Sequence, residues 1–483
     1  MLELFRFILQ ILSFILQFII MNWNTNFFAA ISELNGADRY NGQLVDKRDG
    51  RSDFAIDRER ILYSKAFRRL SDKTQVFFSD EIKDLRTRLT HTLEVNQIAK
   101  TIVSSLGCNL DLTEAIALGH DVGHTPFSHV GERTLNLIMN NCEYLGIQIQ
   151  ENNFGFKHNL QSLRVLCDLE GELNLSKYTL WCIANHSSLT YRNCPLTNNN
   201  DICYTKHNPS CCPRLGKYKH NYSCKFYDTY INNIGNDTYW SIEGLVVALA
   251  DEIAQRHHDI EDSIRFNILN RKDLLAHLRI FVPVFSQLDK KNYKDLKDKE
   301  KSSQPDDIFL AHFSRLIVKA YVVNLIKETK KRIKAKGNEL IIRSQQDFYT
   351  HKSEIPIEEA KKLVSFSNEF AEVDKTFQNF LKSSILNSYG AQMMDGKGAY
   401  IIRKLFEAYL SNPKQLPNDE IRRFYKSINV EINDIGQMRG EINNYRNIST
   451  RRNNLMRVIS DYIGSMTDAY AYDQYNLLYG TLV

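Results

Sequence analysis

The sequence predicts an all-α protein, built as a helical core followed by an additional C-terminal helical region. Proline occurs only nine times in 483 residues, and long stretches are rich in Leu, Ile, Lys, Glu and Asn, a composition that favours helices. Apolar residues also recur at helical spacing, as in Leu93, Val95, Ile98, Ile102 and Val103. With 43% apolar residues, the chain can bury one large core or two.

The first 21 residues form an apolar run long enough to cross a bilayer. A membrane anchor, a signal peptide, a structural helix and translated sequence upstream of the true start all stay open. A signal peptide is disfavoured because Asn-Trp-Asn-Thr follows at once, with no small-residue cleavage site. Gln10 and Gln17 dilute a membrane helix and Met21 is an alternative initiator, so we favour an upstream extension.

The rest of the chain divides into a core region over residues 22–285 and a C-terminal helical region over residues 309–483. A stretch at about 190–240 is rich in Asn, Tyr, Cys and His and is interpreted as an insertion into the core region. The boundary is a charged loop at 286–308 that ends in Gln-Pro-Asp-Asp. We expect the C-terminal region to complete the pocket or to supply oligomer contacts.

Within the core region, residues 22–60 are polar and irregular, and helical patterns follow from 60 to about 190. Asp111 with Glu114 three residues later resembles a capping box, which predicts that a helix begins there and leads into Gly-His-Asp. Helical patterning returns at 240–265. The sequence thus places its most polar motifs at the ends of helices or inside them.

The charges nearly balance, with 62 basic and 57 acidic residues and a formal net charge of +5. So small an excess leaves nucleic-acid binding open without indicating it, and it equally fits a pocket for an anionic small molecule. Cys108, Cys142, Cys167 and Cys182 fall in apolar helical patterns, where a reduced, buried thiol is expected. We therefore expect a cytoplasmic protein, with membrane anchoring by residues 1–21 still open.

Three segments carry residues that bind metals: Arg-Leu-Thr-His91, Gly-His120-Asp121, and Ala-Leu-Ala-Asp251. Adjacent residues on a helix diverge by roughly 100°, close to the angle between neighbouring ligands of an octahedral ion. His120 and Asp121 can therefore reach one ion near the helix surface. Two histidines and two carboxylates leave two positions for water and substrate, and such mixed ligands suit Mn, Fe, Co, Ni or Zn better than Mg or Ca.

Each of these residues also has an ordinary interpretation, since a lone buried His usually satisfies a hydrogen bond in the core. Asp251 is harder to explain, because a carboxylate inside Val-Val-Ala-Leu-Ala-Asp-Glu-Ile-Ala is expected to be buried and to need a charged partner or a metal. The segment from His120 to Glu132 also contains His124 and His129, although the whole chain has only 13 histidines. Packing alone does not account for that density.

With these segments, the chain resembles the deoxyguanosine triphosphate triphosphohydrolases and related dNTP triphosphohydrolases of the HD superfamily. A His-Asp pair alone recurs in many phosphohydrolases, but Lys73-Thr-Gln-Val and His124-Thr-Pro-Phe-Ser-His-Val-Gly-Glu132 are far more specific. The other matching blocks are Asp57-Arg-Glu-Arg-Ile-Leu, Ala66-Phe-Arg-Arg-Leu, Arg86-Thr-Arg-Leu-Thr-His91, Phe156-Lys-His-Asn-Leu-Gln-Ser, Ala250-Asp-Glu-Ile-Ala-Gln-Arg-His-His-Asp259 and Val458-Ile-Ser-Asp-Tyr-Ile-Gly-Ser-Met-Thr-Asp468. The resemblance implies an HD-domain helical core.

The resemblance also implies roles for individual residues. The implied metal ligands are His91, His120, Asp121 and Asp251. The implied catalytic residues, which handle protons at the α-phosphate or lie beside it, are His129, Glu132 and His124. The implied substrate contacts are Gln75 and Asp259 at the deoxyribose, and Arg88, His158 and Arg164 at the triphosphate. A tyrosine common in the family near Asp259 is replaced by Gln255, which leaves the discrimination against ribonucleotides open.

The implied reaction is attack of metal-activated water on the α-phosphorus of a dNTP, with dGTP the expected substrate, releasing deoxynucleoside and inorganic triphosphate. The divalent ion is Mn, Mg, Fe, Co, Ni or Zn. A His paired with a Glu three residues later on one helix face is suited to protonate the leaving 5′-oxygen. Because family members commonly form homo-oligomers and some are activated by nucleotides, we expect a homo-oligomer and an allosteric nucleotide as partners.

The insertion concentrates side chains that permit a second, structural metal site, with zinc favoured over an iron–sulfur cluster. These residues are Cys194, Cys203, His207, Cys211, Cys212, His220 and Cys224. Because the sequence contains no Cys-x-x-Cys pair, a variable surface loop is the competing interpretation.

Two other functions stay open from the sequence alone. The same HD chemistry fits a phosphodiesterase or nucleotidase that acts on another nucleotide. An HD-like scaffold also fits a non-catalytic nucleotide sensor, although the complete set of metal ligands argues against it.

Overall fold

The computed structural model describes residues 25–30, 38–43, 50–75, 86–140, 155–171, 173–189, 224–235, 237–278, 294, 306–446 and 448–480. Helices supply the regular structure in these ranges, where extended segments pair only at isolated bridges between Arg39 and Ser176 and between Thr74 and Thr87. The predicted all-α fold is confirmed. The apolar segment 1–21 and most of the predicted insertion lie outside the described residues.

The α-helices of the described part of the chain are α1 (Asp53–Leu62), α2 (Lys65–Arg69), α3 (Arg88–Leu106), α4 (Leu110–Gly119), α5 (Ser128–Met139), α6 (His158–Arg164), α7 (Lys177–Asn185), α8 (Asp228–Ile234), α9 (Ile242–Arg265), α10 (Arg271–Leu278), α11 (Asp306–Glu339), α12 (Gln345–His351), α13 (Ile357–Leu363), α14 (Asn368–Leu386), α15 (Tyr389–Ser411), α16 (Asn418–Ser427), α17 (Ile435–Tyr445), α18 (Ser449–Ser465) and α19 (Asp468–Tyr479). Many begin at a Ser, Thr, Asn or Asp whose side chain accepts a hydrogen bond from a backbone N–H of the first turn.

The start of α4 differs from the prediction. Its cap is Asn109, whose side chain accepts a hydrogen bond from the backbone N–H of Leu112 at 3.0 Å. The predicted capping box of Asp111 and Glu114 is therefore wrong, because the helix begins at Leu110 and Asp111 already lies in its first turn. Both carboxylates instead bind the guanidinium of Arg58, at 2.7 and 2.8 Å.

The first hydrophobic core surrounds α9, which packs against α3, α4, α7, α11 and α14. One side of α9 buries Val246, Val247, Ala250, Ile253 and Ala254 in this core. Within α11, residues 308–339 are long and apolar enough to cross a membrane by composition, but 56% of their most apolar window is buried inside the protein. Helix α11 thus packs as part of the first core.

The second core is formed by α15–α19 together with α5 and Phe156. Helix α5 contributes Leu135, Ile138 and Met139 to it. The region after residue 306 therefore supplies both cores, since α11–α14 join the first and α15–α19 join the second. The domain boundaries proposed from the sequence stay a prediction.

A small group of polar residues connects the two cores. Asp468, at the start of α19, accepts hydrogen bonds from the backbone N–H groups of Thr74 and Phe127, each at 2.8 Å. The buried ammonium of Lys73 donates to the carbonyls of Gly464, at 3.0 Å, and His124. This junction fixes the Thr-Pro-Phe-Ser-His turn, in which Phe127 and Ser128 both have a left-handed φ of 57°.

Two buried basic side chains have different surroundings in the first core. Arg39 is 1% exposed and pairs with Asp57 at 2.7 Å and Asp53 at 3.0 Å, which ties α1 to the loop before it. Lys352 lies among aromatic rings, with its ammonium 4.5 Å from the ring centre of Tyr178 and 5.2 Å from that of Trp240. Burial lowers the pKa of Lys352 to about 7.

Candidate active site

The four predicted metal ligands converge where α3, α4 and α9 meet. His91 lies in the first turn of α3, Asp251 lies on α9, and His120 with Asp121 follows directly after the last residue of α4. The Nε2 atom of His91 is 2.9 Å from Oδ1 of Asp251, and Nε2 of His120 is 3.9 Å from the same oxygen. Asp121 Oδ2 is 3.7 Å from His120 Nε2.

The expectation that Asp251 is buried was wrong. Its side chain is 29% exposed, whereas its neighbours Ala250 and Ile253 are fully buried. Asp251 therefore lies at the edge of the apolar face of α9, where the carboxylate faces the two histidines and stays accessible to solvent. Although burial raises the pKa of Asp251, contact with His91 and His120 lowers it further below the usual range.

The hydrogen bonds of His91 and His120 orient their rings toward this point. His120 donates from Nδ1 to the carbonyl of Ala117 at 2.7 Å. Nδ1 of His91 lies 3.3 Å from Nδ1 of His258, whose Nε2 lies 2.6 Å from Glu94. The Nε2 atoms of His91 and His120 are both buried. That of His120 has no hydrogen-bond partner among the described residues, and that of His91 faces Oδ1 of Asp251 at 2.9 Å. Two imidazole nitrogens that face two carboxylates fit a divalent metal ion.

Arg88 connects this group to the adjoining cleft. Its guanidinium donates to Asp121 at 2.5 Å and to the Ser128 hydroxyl at 2.9 Å. Although burial alone raises the pKa of Asp121, His120 and Arg88 hold it well below the usual range. Asp121 is thus an ionised carboxylate at neutral pH, as a metal ligand must be.

A second group lies beside the first and contains His124, His129, Glu132 and His158, whose ligand atoms all lie within 4.8 Å of one another. Glu132 is buried and accepts from Nδ1 of His158 at 2.8 Å, with Nδ1 of His129 at 3.4 Å. Burial raises the pKa of Glu132, but the two histidines hold it well below the usual range. His129 is 65% exposed, so a buried carboxylate holds an imidazole that faces solvent.

The glycines of the motif allow the helices to approach closely. A Cβ atom on Gly123 would lie 2.2 Å from the backbone nitrogen of Ser162 and 2.5 Å from the carbonyl of His158. A Cβ on Gly131 would lie 2.1 Å from the carbonyl of Pro126. Because Gly123 lets α6 pack against the turn after α4, His158 reaches the cleft.

Gln255, which replaces the tyrosine common in the family, connects the two predicted sugar contacts, Gln75 and Asp259. Gln255 accepts from the side-chain amide of Gln75 at 3.1 Å and donates to Asp259 at 2.6 Å. Burial raises the pKa of Asp259 to about 6. Gln255 therefore links Gln75 and Asp259 by hydrogen bonds, where the family tyrosine would present an aromatic ring.

Arg164 lies in a different network from the one predicted. Its guanidinium pairs with the buried Asp461 at 2.7 Å, donates to the Tyr230 hydroxyl at 2.8 Å and lies 5.0 Å from the ring centre of Phe226. These contacts join α6 to α18 and α8. The contact of Arg164 with the triphosphate therefore stays a prediction.

The structure adds two histidines that the sequence analysis missed. His186, which follows α7, forms a group with Asp121 and His158 within 4.8 Å, and burial lowers its pKa to about 3. His258 supports His91, as described above. His258 could have been found, because it lies next to His257 in the segment 250–259 that resembles the family. His186 lies in Asn-His-Ser-Ser, and the sequence around it indicates only that an apolar helix precedes it.

Of the predicted structural metal site, only Cys224 is among the described residues. It is a partly buried free cysteine, and burial raises the pKa of its thiol to about 11. Cys194, Cys203, His207, Cys211, Cys212 and His220 lie outside the described residues. The second metal site stays a prediction.

Comparison with known proteins agrees with this arrangement. The HD domain family matches residues 88–207, and the phosphohydrolase-associated domain family matches residues 364–431 and 432–477. A deoxyguanosinetriphosphate triphosphohydrolase-like protein of Caulobacter vibrioides is 32% identical over 443 residues, covering 90% of this chain and 92% of the relative. Proteins of the same description from Pelagibacter ubique and Rickettsia bellii are 32% and 31% identical, covering 87% and 89% of this chain and 92% of each relative. The chain therefore belongs to the HD-domain phosphohydrolases of the deoxyguanosinetriphosphate triphosphohydrolase-like family.

Proposed function

We propose that this protein hydrolyses deoxynucleoside triphosphates, with dGTP as the preferred substrate, to a deoxynucleoside and inorganic triphosphate. One observation carries the proposal. The buried Nε2 atoms of His91 and His120 face the carboxylates of Asp121 and Asp251, directly beside the His129–Glu132 pair.

His91, His120, Asp121 and Asp251 would hold a divalent ion, which would make a water molecule more acidic and polarise a phosphoryl oxygen. The ligand set accepts Mn, Fe, Co, Ni or Zn and leaves room for Mg through substrate oxygens. Arg88 is buried beside Asp121, so its remaining donors are suited to neutralise phosphate oxygens in a site of low dielectric.

His129 is the residue suited to protonate the leaving 5′-oxygen. It is exposed to the cleft, and its Nδ1 atom lies 3.4 Å from the buried carboxylate of Glu132, which orients the ring. His158 shares the same carboxylate, which fixes the position of Glu132 between two rings. His124 is fully buried against His158, with ring centres 4.5 Å apart, and burial lowers its pKa well below the usual range. A neutral His124 can therefore line the triphosphate cleft as a hydrogen-bonding group.

Gln75, Gln255 and Asp259 would contact the deoxyribose. Gln75 donates to Gln255 at 3.1 Å, and Gln255 donates to Asp259 at 2.6 Å. Burial raises the pKa of Asp259 to about 6, and the ionised carboxylate can accept a hydrogen bond from a 3′-hydroxyl. The relatives are described as deoxyguanosinetriphosphate triphosphohydrolase-like proteins, which supports dGTP as the first substrate to test. A homo-oligomer and an allosteric nucleotide stay proposals that rest on the family resemblance, and a cytoplasmic location stays a proposal that rests on the cysteine usage.

The proposal is tested by incubating the purified protein with each dNTP in Mn²⁺ or Mg²⁺ and separating the products by ion-exchange chromatography. We expect triphosphate and deoxynucleoside in equal amounts, and Asp121→Ala is expected to abolish turnover. Asp419→Ala is the matched control, because that carboxylate is 86% exposed on α16. Release of monophosphate or diphosphate would instead identify a phosphodiesterase or nucleotidase, and full activity of Asp121→Ala would refute the metal assignment.

A further inference from the structure

We propose that a cleft above Lys352 binds a small planar molecule that carries a single carboxylate group. The cleft has a volume of about 660 Å³, within the range of small-molecule sites, and its aromatic walls are formed by Tyr178, Tyr239, Trp240 and Tyr349. It is separate from the active site, because Tyr178 lies in the first turn of α7 whereas His186 follows the last residue of that helix. The inference is independent of the reaction proposed above.

The amine of Lys352 lies in the cleft without a carboxylate partner among the described residues. Its hydrogen bond goes to the hydroxyl of Tyr178, at 3.0 Å, although an ammonium group has three donors. Lys336 is equally buried, at 7% exposed, but pairs with two glutamates at 2.6 and 2.8 Å. Because a buried charge normally has a counter-charge, the cleft lacks the anion that a bound carboxylate would supply.

The aromatic walls indicate the shape of the ligand. The Lys352 ammonium lies 4.5, 5.2 and 5.7 Å from the ring centres of Tyr178, Trp240 and Tyr349, which offer it π-electron density but no full negative charge. Tyr178 and Tyr239 meet edge to face, with ring centres 5.2 Å apart. Aromatic side chains pack well against another planar ring. We therefore expect the ring of the ligand to lie against these walls, with its carboxylate directed at the amine.

Two carboxylates in the lining limit the charge that the ligand can carry. Asp38 accepts a hydrogen bond from the hydroxyl of Tyr239 at 2.8 Å, and Asp237 is exposed at the same cleft. One amine beside two acidic groups suits a single negative charge, whereas a phosphate ester or a triphosphate would be repelled by the acidic groups. The cleft therefore fits a class of ligand different from the nucleotides of the active site.

Binding of a carboxylate is expected to be coupled to uptake of a proton. The titratable groups that face Lys352 are Tyr178 and Cys182 of α7, Glu243 of α9 and Tyr349 of α12. Burial lowers the pKa of Lys352 to about 7, so the amine of the empty cleft is largely neutral at pH 8. A carboxylate beside the amine raises that pKa again, and the complex therefore gains a proton from the buffer.

The test is isothermal titration of the full-length protein with 2-naphthoate at pH 8, in HEPES and in Tris, whose enthalpies of protonation differ. The difference between the two buffers is expected to show uptake of about 0.9 proton per bound naphthoate. The neutral 2-naphthamide and the dianion 2-naphthyl phosphate are each expected to bind about 10-fold more weakly or worse. Asp121→Ala is expected to bind naphthoate as the wild type does, which separates this cleft from the active site.

Lys352→Met removes the amine, keeps an unbranched side chain, and is expected to weaken naphthoate binding by about 10- to 100-fold and to abolish the proton uptake. Lys361→Met is the control, because that exposed lysine pairs with Glu358 on α13, outside the cleft. Should Lys352→Met fold poorly by circular dichroism, Asp237→Asn is the second variant, since its side chain is exposed. It is expected to strengthen binding of 2-naphthyl phosphate by about two- to fivefold.

Several outcomes would overturn the inference. They are absence of naphthoate binding at millimolar concentration, equal affinity for 2-naphthamide, and unchanged affinity in Lys352→Met. Tighter binding of 2-naphthyl phosphate than of 2-naphthoate would also overturn it and would indicate a site for phosphorylated ligands. Naphthoate binding without dNTP hydrolysis would support this inference and refute the proposed function, and triphosphate release without naphthoate binding would do the reverse.

Discussion

His258 is expected to control how tightly the metal binds, although it does not contact the metal position itself. His91 carries its proton on Nδ1 when Nε2 is a ligand, and Nδ1 lies 3.3 Å from Nδ1 of His258. His258 in turn carries its proton on Nε2, which lies 2.6 Å from Glu94. The carboxylate thus orients His258, and His258 orients His91. His258→Phe keeps a ring in this fully buried position and removes both nitrogens.

Loss of a partner that orients a metal ligand typically weakens metal binding by about 10- to 100-fold, equivalent to about 1.4–2.8 kcal/mol. The link between His91 and His258 is long at 3.3 Å, whereas the link to Glu94 is short. Because the longer contact limits the effect on His91, we expect a loss of about 10- to 30-fold for His258→Phe.

The affinity is measured by isothermal titration of Mn²⁺ into metal-free protein, after thermal melting has shown that the variant folds. His257→Phe is the matched control, because His257 also pairs with Glu94, at 3.3 Å, but makes no described contact with His91. The control is expected to stay within about twofold of the wild type. Unchanged affinity in His258→Phe, or an equal loss in both variants, would refute the orienting role.

Three further predictions concern stability. Asp57→Asn removes one of the two carboxylate charges that pair with the buried guanidinium of Arg39 and leaves that of Asp53. Chemical denaturation is therefore expected to show a loss of about 3 kcal/mol, and a loss below about 1 kcal/mol would contradict the assignment. Gly123→Ala places a Cβ atom 2.2 Å from the backbone nitrogen of Ser162 and is expected to lower the free energy of unfolding by about 2 kcal/mol or more. Gly440→Ala is the control, because its Cβ atom would meet nothing within 4 Å, and it is expected to stabilise its helix slightly. Because the pKa of Lys352 is lowered to about 7, the unfolded chain binds more protons above that pH, so the free energy of unfolding is expected to rise from about pH 7 toward pH 10. Lys352→Met is expected to remove that part of the pH dependence, and an unchanged slope would show that the amine stays protonated.

The convergence of the four proposed metal ligands was predictable because their neighbours in the sequence are informative. His120, Asp121, His124 and His129 lie in one short motif, and Asp251 interrupts an apolar helix. The exposure of Asp251 was not predictable, because the sequence shows that a helix is apolar but not where its face meets a cleft. Its 29% exposure follows from the placement of α3 and α4 beside it.

The contacts of His186 and Arg164 could not be predicted from the sequence. His186 is separated from Asp121 by 65 positions and reaches it only because α6 and α7 pack together beneath the turn after α4. Arg164 had the chemistry of a phosphate ligand, but a buried carboxylate from α18 occupies its guanidinium. Such pairings join elements almost 300 residues apart, and no local pattern indicates them.

The proposed reaction requires that water attacks the α-phosphorus and that the protein releases intact triphosphate. Hydrolysis of dGTP by the Mn²⁺-loaded protein in ¹⁸O-labelled water, followed by mass spectrometry of both products, tests it most directly. We expect a single labelled oxygen in the triphosphate and none in deoxyguanosine, because the bond from phosphorus to the 5′-oxygen breaks. Label in the nucleoside, or label in monophosphate or diphosphate products, would contradict it.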